Sequence, residues 1–366
     1  MELRDIISRV EQGNRLDVSG AVQLFEQAPL EDLGRLASRI REQKNGNQAT
    51  YVLNRYLNYS NICILSCQFC SFYRRKRDAD AFEYAIPEMV EKARQSLAEG
   101  ITEIHIVGGL HPSLPFSYYT GMLRELKALD PRLSLKAFTA IEIRHLAERI
   151  HKKPIRETLE ALHEAGLDAL TGGGAEIFDA GVRDQICRGK ESAEEWLEVH
   201  RIWHQLGYRS TCTMLYGHVE TVEQRFLHLE LLRNLQDETG GFTALVPYAF
   251  EPENNGLSHL RRISGLEELR MLAMCRIFLD NFDHLTGYWV STGLPLAQVA
   301  LSYGVDDLHG TITEEKIFHM AGATTPVGQT REKLEQVIRE AGRIPVQRDT
   351  VYQAVPAGRV QPVSAA

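Results

Sequence analysis

Residues 51–70 read YVLNRYLNYSNICILSCQFC, and this segment is the clearest indication of architecture in the chain. Its first part, Tyr51–Tyr59, is an apolar and aromatic run that predicts a buried β-strand. Three cysteines, Cys63, Cys67 and Cys70, follow that run within eight residues of one another. The segment therefore predicts a strand whose carboxyl end leads into a cluster of thiol ligands.

The same pattern recurs along the rest of the chain, where short β-like runs ending in glycine or polar residues alternate with longer helical patterns. Capping boxes mark several helix starts, such as Ser192 with Glu195. Repeated βα units predict parallel strands with right-handed crossovers, and eight would close a TIM-type (β/α)8 barrel. A doubly wound open sheet is the alternative. The further strands are predicted at Glu103–Val107, Leu133–Phe138, Asp168–Leu170, Ser210–Leu215, Phe242–Tyr248, Leu285–Val290 and near Tyr303–Val305.

The chain of 366 residues divides into three predicted parts. Apolar residues at helical spacing predict an N-terminal helical extension over residues 1–48. The barrel is predicted over residues 50–323, and a C-terminal helix and tail over residues 324–366. This length is compatible with one large α/β domain carrying extensions at both ends.

Composition and charge exclude two classes of partner. The chain has 41 Lys and Arg against 49 Asp and Glu, a formal net charge of −8. It therefore lacks the broad basic surface on which nucleic-acid binding relies. No run approaches the roughly 18 apolar residues of a membrane helix, and the charged start at Met1–Arg9 is not followed by the apolar part of a signal peptide. We expect a cytoplasmic protein without a membrane or nucleic-acid partner.

The cysteine cluster has the spacing C-x3-C-x2-C. Without an export signal, such a cluster indicates metal ligation or redox chemistry rather than disulfides. A closed structural zinc site needs four ligands, usually as two separated pairs. In a 4Fe-4S cubane, three cysteine ligands leave one iron free to bind another molecule. Buried free cysteines, or a zinc site completed from a distant part of the chain, are the alternatives.

This spacing, with Phe69 directly before Cys70, resembles that of the radical S-adenosylmethionine (SAM) enzymes. The resemblance implies a 4Fe-4S cluster on the three cysteines and SAM chelating the open iron through its methionine amino and carboxylate groups. It also implies that Phe69 packs against the adenine. Gly108 and Gly109 match the glycine-rich motif that meets the methionine amino group.

Four longer strings resemble those of the aminofutalosine synthases of the futalosine route to menaquinone, over about Tyr51 to Val351. This resemblance implies that the 5′-deoxyadenosyl radical adds to 3-[(1-carboxyvinyl)oxy]benzoate, with rearrangement and decarboxylation to 6-amino-6-deoxyfutalosine. SAM is then a co-substrate, and an external donor such as flavodoxin or ferredoxin supplies an electron. Cyclic dehypoxanthinyl futalosine synthases and deazaflavin-cofactor synthases share the cysteine motif and remain alternatives, as does a non-catalytic Fe–S or zinc protein. The strings are VGGLHP (107–112), KAFTAIE (136–142), GGGAEIF (172–178) and MLYGHVE (214–220).

The resemblance also suggests catalytic and cofactor-binding side chains. It places the carboxylate of Glu176 against the ribose or methionine of the cofactor, and Arg183 is a candidate partner for the methionine carboxylate, with a surface ion pair as the alternative. Thr139, Tyr216 and His218 follow predicted strands and are candidate catalytic residues. Helix capping is the competing role for Thr139, as capping or support is for at least one residue of the Tyr216 to Glu220 segment.

The implied substrate is an aryl enol ether with two carboxylates, so its pocket needs cationic or donor groups within apolar walls. The candidates are Arg188, Lys190 and His309. A solvated loop is the competing interpretation for Arg188 and Lys190.

Overall fold

The computed structural model describes residues 2–356. In this range, no helix combines the length and apolar character needed to cross a bilayer. The strands are β1 (Gln48–Val52), β2 (Asn54–Leu57), β3 (Glu103–Ile106), β4 (Ser134–Ala137), β5 (Ala169–Leu170), β6 (Arg209–Tyr216), β7 (Phe242–Ala249), β8 (His284–Leu285), β9 (Asp307–Gly310) and β10 (Ile344–Gln347). The helices are α1 (Leu3–Glu11), α2 (Val18–Gln27), α3 (Leu30–Asn45), α4 (Ile86–Ala98), α5 (Phe116–Leu129), α6 (Ala140–His145), α7 (Ile155–Glu164), α8 (Ala180–Ile186), α9 (Ala193–Gln205), α10 (Val222–Thr239), α11 (Gly265–Phe278), α12 (Trp289–Thr292), α13 (Leu294–Ala300), α14 (Ile317–Met320) and α15 (Arg331–Glu340), with a π-helical turn at Leu146–His151.

Parallel strands curl into a TIM-type barrel. Strands β2 to β8 form one seven-stranded sheet in chain order. Strand β9 continues it, because Asp306 N donates to Leu285 O (3.1 Å) and Gly287 N donates to Asp307 O (2.8 Å). Strand β9 in turn pairs with β1, which leads directly into β2. The predicted α/β fold class is confirmed.

Some predicted strands differ from the observed ones. The long first run is divided at Leu53 into β1 and β2. The seventh predicted strand is wrong in its second half, because residues 289–292 form helix α12. The eighth strand is β9, which begins after the predicted Tyr303–Val305 segment. Gly304 lies there in a turn with φ of 94°, and this left-handed conformation prevents extended pairing until the chain has passed it.

The N-terminal helices pack on the outer helical layer rather than over the mouth of the barrel. The ring of Phe25 in α2 meets Phe226 in α10 edge-to-face, with centroids 6.1 Å apart. Arg270 in α11 donates to the carbonyls of Phe25 (2.8 Å) and Ala28 (2.7 Å). These contacts attach the helical lead-in to two outer helices, and β1 begins at its end.

The C-terminal segment closes the amino ends of the strands. Strand β10 pairs in parallel with β1, and Arg348 then forms an ion pair with Asp307 of β9 (2.6 Å). Thr350 Oγ1 donates to Glu103 of β3 (2.8 Å). We call these four residues, Glu103, Asp307, Arg348 and Thr350, the barrel floor. Residues 357–366 of the predicted C-terminal tail lie outside the described residues.

Candidate active site

A cavity of about 290 Å³ occupies the barrel interior and is bounded by the loop that follows β2. Its walls are mostly apolar and aromatic, as expected of a small-molecule site at the carboxyl ends of barrel strands. The structure brings ten of the predicted site residues to this cavity: Cys63, Cys67, Phe69, Cys70, Gly108, Gly109, Thr139, Glu176, Lys190 and His309.

The three cysteines lie on the β2–α4 loop, where backbone contacts hold them. Leu110 N donates to Cys63 Sγ (3.4 Å), and the Arg75 guanidinium donates to Cys63 O (2.7 Å). Burial raises the pKa of the Cys67 and Cys70 thiols. A bound metal ion has the opposite effect on the pKa of a thiol, because it deprotonates a thiol that coordinates it.

The donor set fits a 4Fe-4S cluster. Among residues 2–356, no three His, Cys, Asp or Glu side chains converge on the position of a single ion. A cubane does not need such convergence, because each of its cysteines ligates a different iron atom. All three thiols line one cavity, and the Leu110 N–H directed at Cys63 is the kind of donor that stabilises a thiolate.

Two glycines allow the backbone to approach the cysteine loop closely. A Cβ on Gly108 would lie 2.5 Å from the ring of Tyr59, and one on Gly109 would lie 2.3 Å from the Ile62 carbonyl oxygen. Only glycine therefore fits at either position without displacing the loop. This steric requirement explains why glycine stands at both positions, while contact with the methionine amino group stays a prediction.

Thr139 acts as the N-cap of α6 and positions Glu142. Its hydroxyl accepts from Glu142 N and donates to Glu142 Oε2 (2.8 Å). Tyr59 Oη (2.8 Å) and Gly108 N (3.0 Å) donate to the other carboxylate oxygen. Burial raises the pKa of Glu142 to about 7, against the opposing effect of these hydrogen bonds. Glu142 lines the cavity and can hold a proton near neutral pH.

Glu176 and Lys190 form an ion pair in the cavity wall. Lys190 Nζ lies 2.5 Å from Glu176 Oε1, and the side chains are only 8% and 5% exposed. Burial acts to lower the pKa of Lys190, but the carboxylates of Glu176 and Glu191 outweigh it, so the pKa is raised. The ammonium also lies 5.4 Å from the centroid of the Phe69 ring. Lys190 is therefore charged, and Glu176 neutralises it.

The two predicted arginines lie outside the cavity. Arg183 is buried and donates to the carbonyls of Ala175 (2.6 Å) and Glu191 (2.9 Å), so it holds the turn that carries Glu176. Arg188 is 80% exposed and pairs with Asp184 one helical turn earlier (2.8 Å). The structure thus supports the solvated-loop interpretation for Arg188 and a role in loop shape for Arg183.

Tyr216 and His218 do not line the cavity either. The guanidinium of Arg225 lies 5.4 Å from the centroid of the Tyr216 ring on the outer side of the strand, and His218 Nδ1 lies 3.0 Å from Glu220. Gly217 adopts φ of 87° between them. This turn interrupts the strand, so the side-chain alternation expected from a continuous strand does not apply.

Sequence reasoning missed a polar layer deeper in the barrel. Tyr56, His105 and Lys136 are neighbours in register on β2, β3 and β4, and all three line the cavity with His309. The rings of Tyr56 and His105 stack at 4.4 Å. The available signal was the alternation in β3 and β4, which places Glu103 with His105, and Ser134 with Lys136, on one face of each strand.

The comparisons with known proteins agree with this geometry. The model of the Radical SAM superfamily matches residues 57–232, and that of the CofH/MqnC C-terminal region matches residues 239–360. Aminodeoxyfutalosine synthase of Thermus thermophilus is 46% identical over 354 residues, 96% of this chain and 95% of that protein. The chain belongs to the radical SAM enzyme family that includes aminodeoxyfutalosine synthase.

Two further proteins resemble the chain at lower sequence identity. Cyclic dehypoxanthine futalosine synthase of Streptomyces coelicolor is 38% identical, covering 96% of this chain and 88% of that protein. The crystal structure of methylornithine synthase superposes with a TM-score of 0.74 at 17% identity, over 93% of this chain and 97% of the other, which is a likeness of fold. Membership confirms the prediction of a radical SAM enzyme that uses a 4Fe-4S cluster and SAM.

Proposed function

We propose that this enzyme is an aminodeoxyfutalosine synthase of menaquinone biosynthesis. SAM and 3-[(1-carboxyvinyl)oxy]benzoate would react to give 6-amino-6-deoxyfutalosine, with methionine and the lost carboxyl group as the other products. When bound, the cluster and SAM supply the 5′-deoxyadenosyl radical, whose carbon joins the enol-ether double bond. The electron that an external donor supplies at the start would be released again when the carboxyl group leaves as carbon dioxide and a proton.

The observation that carries this proposal is the 46% identity to an aminodeoxyfutalosine synthase over nearly all of both chains. Identity to the cyclic dehypoxanthine futalosine synthase is lower, at 38%. The cavity supports the proposal, because it combines three cysteines near its mouth with aromatic walls that suit an aryl substrate. Such walls also exclude water from a radical reaction.

We assign the polar residues of the wall to the cofactor. Cys63, Cys67 and Cys70 would hold the cluster. The Glu176–Lys190 pair presents both charges beside Phe69, which suits the ribose hydroxyls and the zwitterionic methionine group of SAM. Glu142 lies against the Gly108 amide and would accept a hydrogen bond from the methionine amino group.

We further propose that an external electron donor such as flavodoxin or ferredoxin docks beside the cysteine loop. Arg75 contacts the Cys63 carbonyl, and the adjoining Lys76 and Arg77 are exposed. This basic run in a chain of net charge −8 would attract a donor with an acidic face. The reducing conditions that free thiolate ligands require favour a cytoplasmic location.

Anaerobic reconstitution followed by mass spectrometry tests the proposal. We expect consumption of SAM and the enol ether together, and a product with the mass of 6-amino-6-deoxyfutalosine. Release of 5′-deoxyadenosine without an adenosyl–aryl adduct would instead support the cyclic dehypoxanthinyl futalosine synthase alternative. Metal bound to the three cysteines without any SAM cleavage would support a non-catalytic Fe–S or zinc protein, which iron and sulfide analysis distinguishes.

A further inference from the structure

Lys136 is a buried lysine that forms no hydrogen bond or ion pair with the other residues of the range 2–356. Its side chain is on β4, the residue is 3% exposed, and it lines the cavity. None of the hydrogen bonds or ion pairs within residues 2–356 involves its side-chain nitrogen, although the charges of Glu103 and Asp307 act on it. Buried lysines are otherwise paired or hydrogen-bonded, because an isolated charge is costly away from water.

The other charged side chains of the cavity wall in the described part of the chain all have partners. Lys190 pairs with Glu176, and Glu142 is held by its helix cap. Glu251 pairs with Arg262 (2.7 Å), and Glu315 pairs with His319 (2.6 Å). Lys136 therefore differs from these residues, since it has neither an ion pair nor a hydrogen bond within the described part of the chain.

Glu103, the acidic group with the largest effect on the pKa of Lys136, forms hydrogen bonds with other residues. Glu103 accepts hydrogen bonds from Asn54 Nδ2 (3.1 Å) and Thr350 Oγ1 (2.8 Å). Burial lowers the pKa of Lys136, while the negative charge of Glu103 acts to raise it. Binding of an anion would add to the effect of Glu103 and keep the ammonium protonated.

Aromatic rings surround the space next to Lys136. His105, its register neighbour, stacks on Tyr56 at 4.4 Å. Across the cavity, Tyr288 lies 6.1 Å from Tyr248, ring centroid to ring centroid. These rings give the part of the cavity beside Lys136 aromatic walls, which suit an aryl group.

We propose that Lys136 binds the ring carboxylate of the substrate and thereby sets its orientation. The inference rests on the proposed function, because that reaction supplies an aromatic acid with an enol ether on the same ring. Lys136 lies within β4, whereas Thr139 follows the end of that strand and the turn at Phe138, so Lys136 is the deeper of the two in the barrel. With the ring carboxylate held at Lys136, the enol ether points toward the cysteine loop.

The experiment compares two probes that differ in charge, 3-methoxybenzoate and 3-methoxybenzamide. Their affinities for the reconstituted enzyme are measured anaerobically by calorimetry. The wild type should prefer the carboxylate by roughly tenfold or more, the usual size of a charged hydrogen bond. Lys136→Met should lose the preference, and Lys136→Arg should retain most of it.

Lys153→Met is the matched control, since Lys153 is 55% exposed on the outer surface, and its preference should equal that of the wild type. A wild type that binds both probes equally, or a Lys136→Met enzyme that still prefers the carboxylate, would overturn the inference. If Lys136→Met fails to fold, Lys136→Gln replaces it as the uncharged variant.

The same samples separate this inference from the proposed function. A lost preference in Lys136→Met, together with no 6-amino-6-deoxyfutalosine from the wild type, would refute the proposed reaction and leave the carboxylate site standing. Product formation by the wild type, together with a Lys136→Met enzyme that still prefers the carboxylate, would refute the carboxylate site and leave the proposed reaction standing. SAM cleavage in the absence of substrate should be the same in the wild type and in the Lys153→Met control.

Discussion

The charged side chains at the mouth of the barrel and at its inner end differ in their ion pairing. At the mouth, Lys190 is neutralised by Glu176 at 2.5 Å. At the inner end, Lys136 has no such partner in residues 2–356 and lies above the barrel floor. A side chain held in an ion pair forms part of the cavity wall before a ligand binds, whereas a side chain without an ion pair can still bind one. The difference suggests that the mouth is organised for the cofactor and the inner end for a substrate anion.

The barrel floor shows a third arrangement, in which an ion pair between charged side chains stabilises the fold. Arg348 contacts both carboxylate oxygens of Asp307, at 2.6 and 3.1 Å, and Lys136 and Arg348 hold the pKa of Glu103 down to about 2 despite its burial. The bidentate pair joins the C-terminal segment to β9. Changes at the floor should therefore affect unfolding, and changes at the mouth should affect chemistry.

The largest expected effect is at the mouth, in Cys67→Ala. Turnover should be abolished and the iron content should fall, because the loop loses one cluster ligand, while the circular dichroism spectrum should be unchanged since no strand depends on this side chain. Product mass spectrometry, iron analysis and circular dichroism check these outcomes. Loss of the native spectrum would argue for a structural metal instead.

Next in size is Arg348→Met at the floor, which leaves the buried Asp307 without its ion-pair partner. We expect a loss of about 3–5 kcal/mol in the free energy of unfolding, measured in urea. The matched control is Arg35→Met, because Arg35 is 76% exposed and such a surface change should cost less than about 0.5 kcal/mol. Equal midpoints for the two variants would contradict a stabilising floor.

A smaller effect is expected for Glu176→Gln, which removes the carboxylate that neutralises Lys190. SAM cleavage should slow by roughly tenfold, the loss of one charged hydrogen bond, with the cluster absorbance retained. Gly174 and the other residues of the turn remain held by Arg183, so the fold should be unaffected. Unchanged kinetics would place Glu176 outside the cofactor site.

The smallest expected effect concerns His309 near the inner end. Burial, and then the charge of Lys136, lower its pKa to about 4. The unfolded state then binds more protons between pH 6.5 and 4, so the stability due to neutral His309 is present above pH 6.5 and is lost as pH falls through that window. In the wild type, the free energy of unfolding should decrease between pH 7 and pH 6. In His309→Gln this decrease should be smaller, by less than about 1 kcal/mol. Equal decreases in the wild type and in His309→Gln would contradict the lowered pKa of His309.

The sequence predicted the site best where its residues are close together in the chain. Cys63, Cys67 and Cys70 share one loop, and the Gly108–Gly109 pair is itself the feature that allows close approach. The βα alternation likewise depends on local patterns and predicted the barrel. Strand ends were less accurate, because a turn such as that at Gly304 decides where pairing begins.

What only the tertiary structure decided is which polar side chain faces the cavity. Lys190 and Arg188 are two residues apart, yet one pairs with Glu176 inside and the other with Asp184 outside. The sequence alone indicated the three cysteines as candidate cluster ligands and predicted the fold class, since both follow from local spacing. The isolation of Lys136 depends on strand register and on the engagement of Glu103 by distant residues. Such contacts join residues far apart in the chain, and local pattern does not specify them.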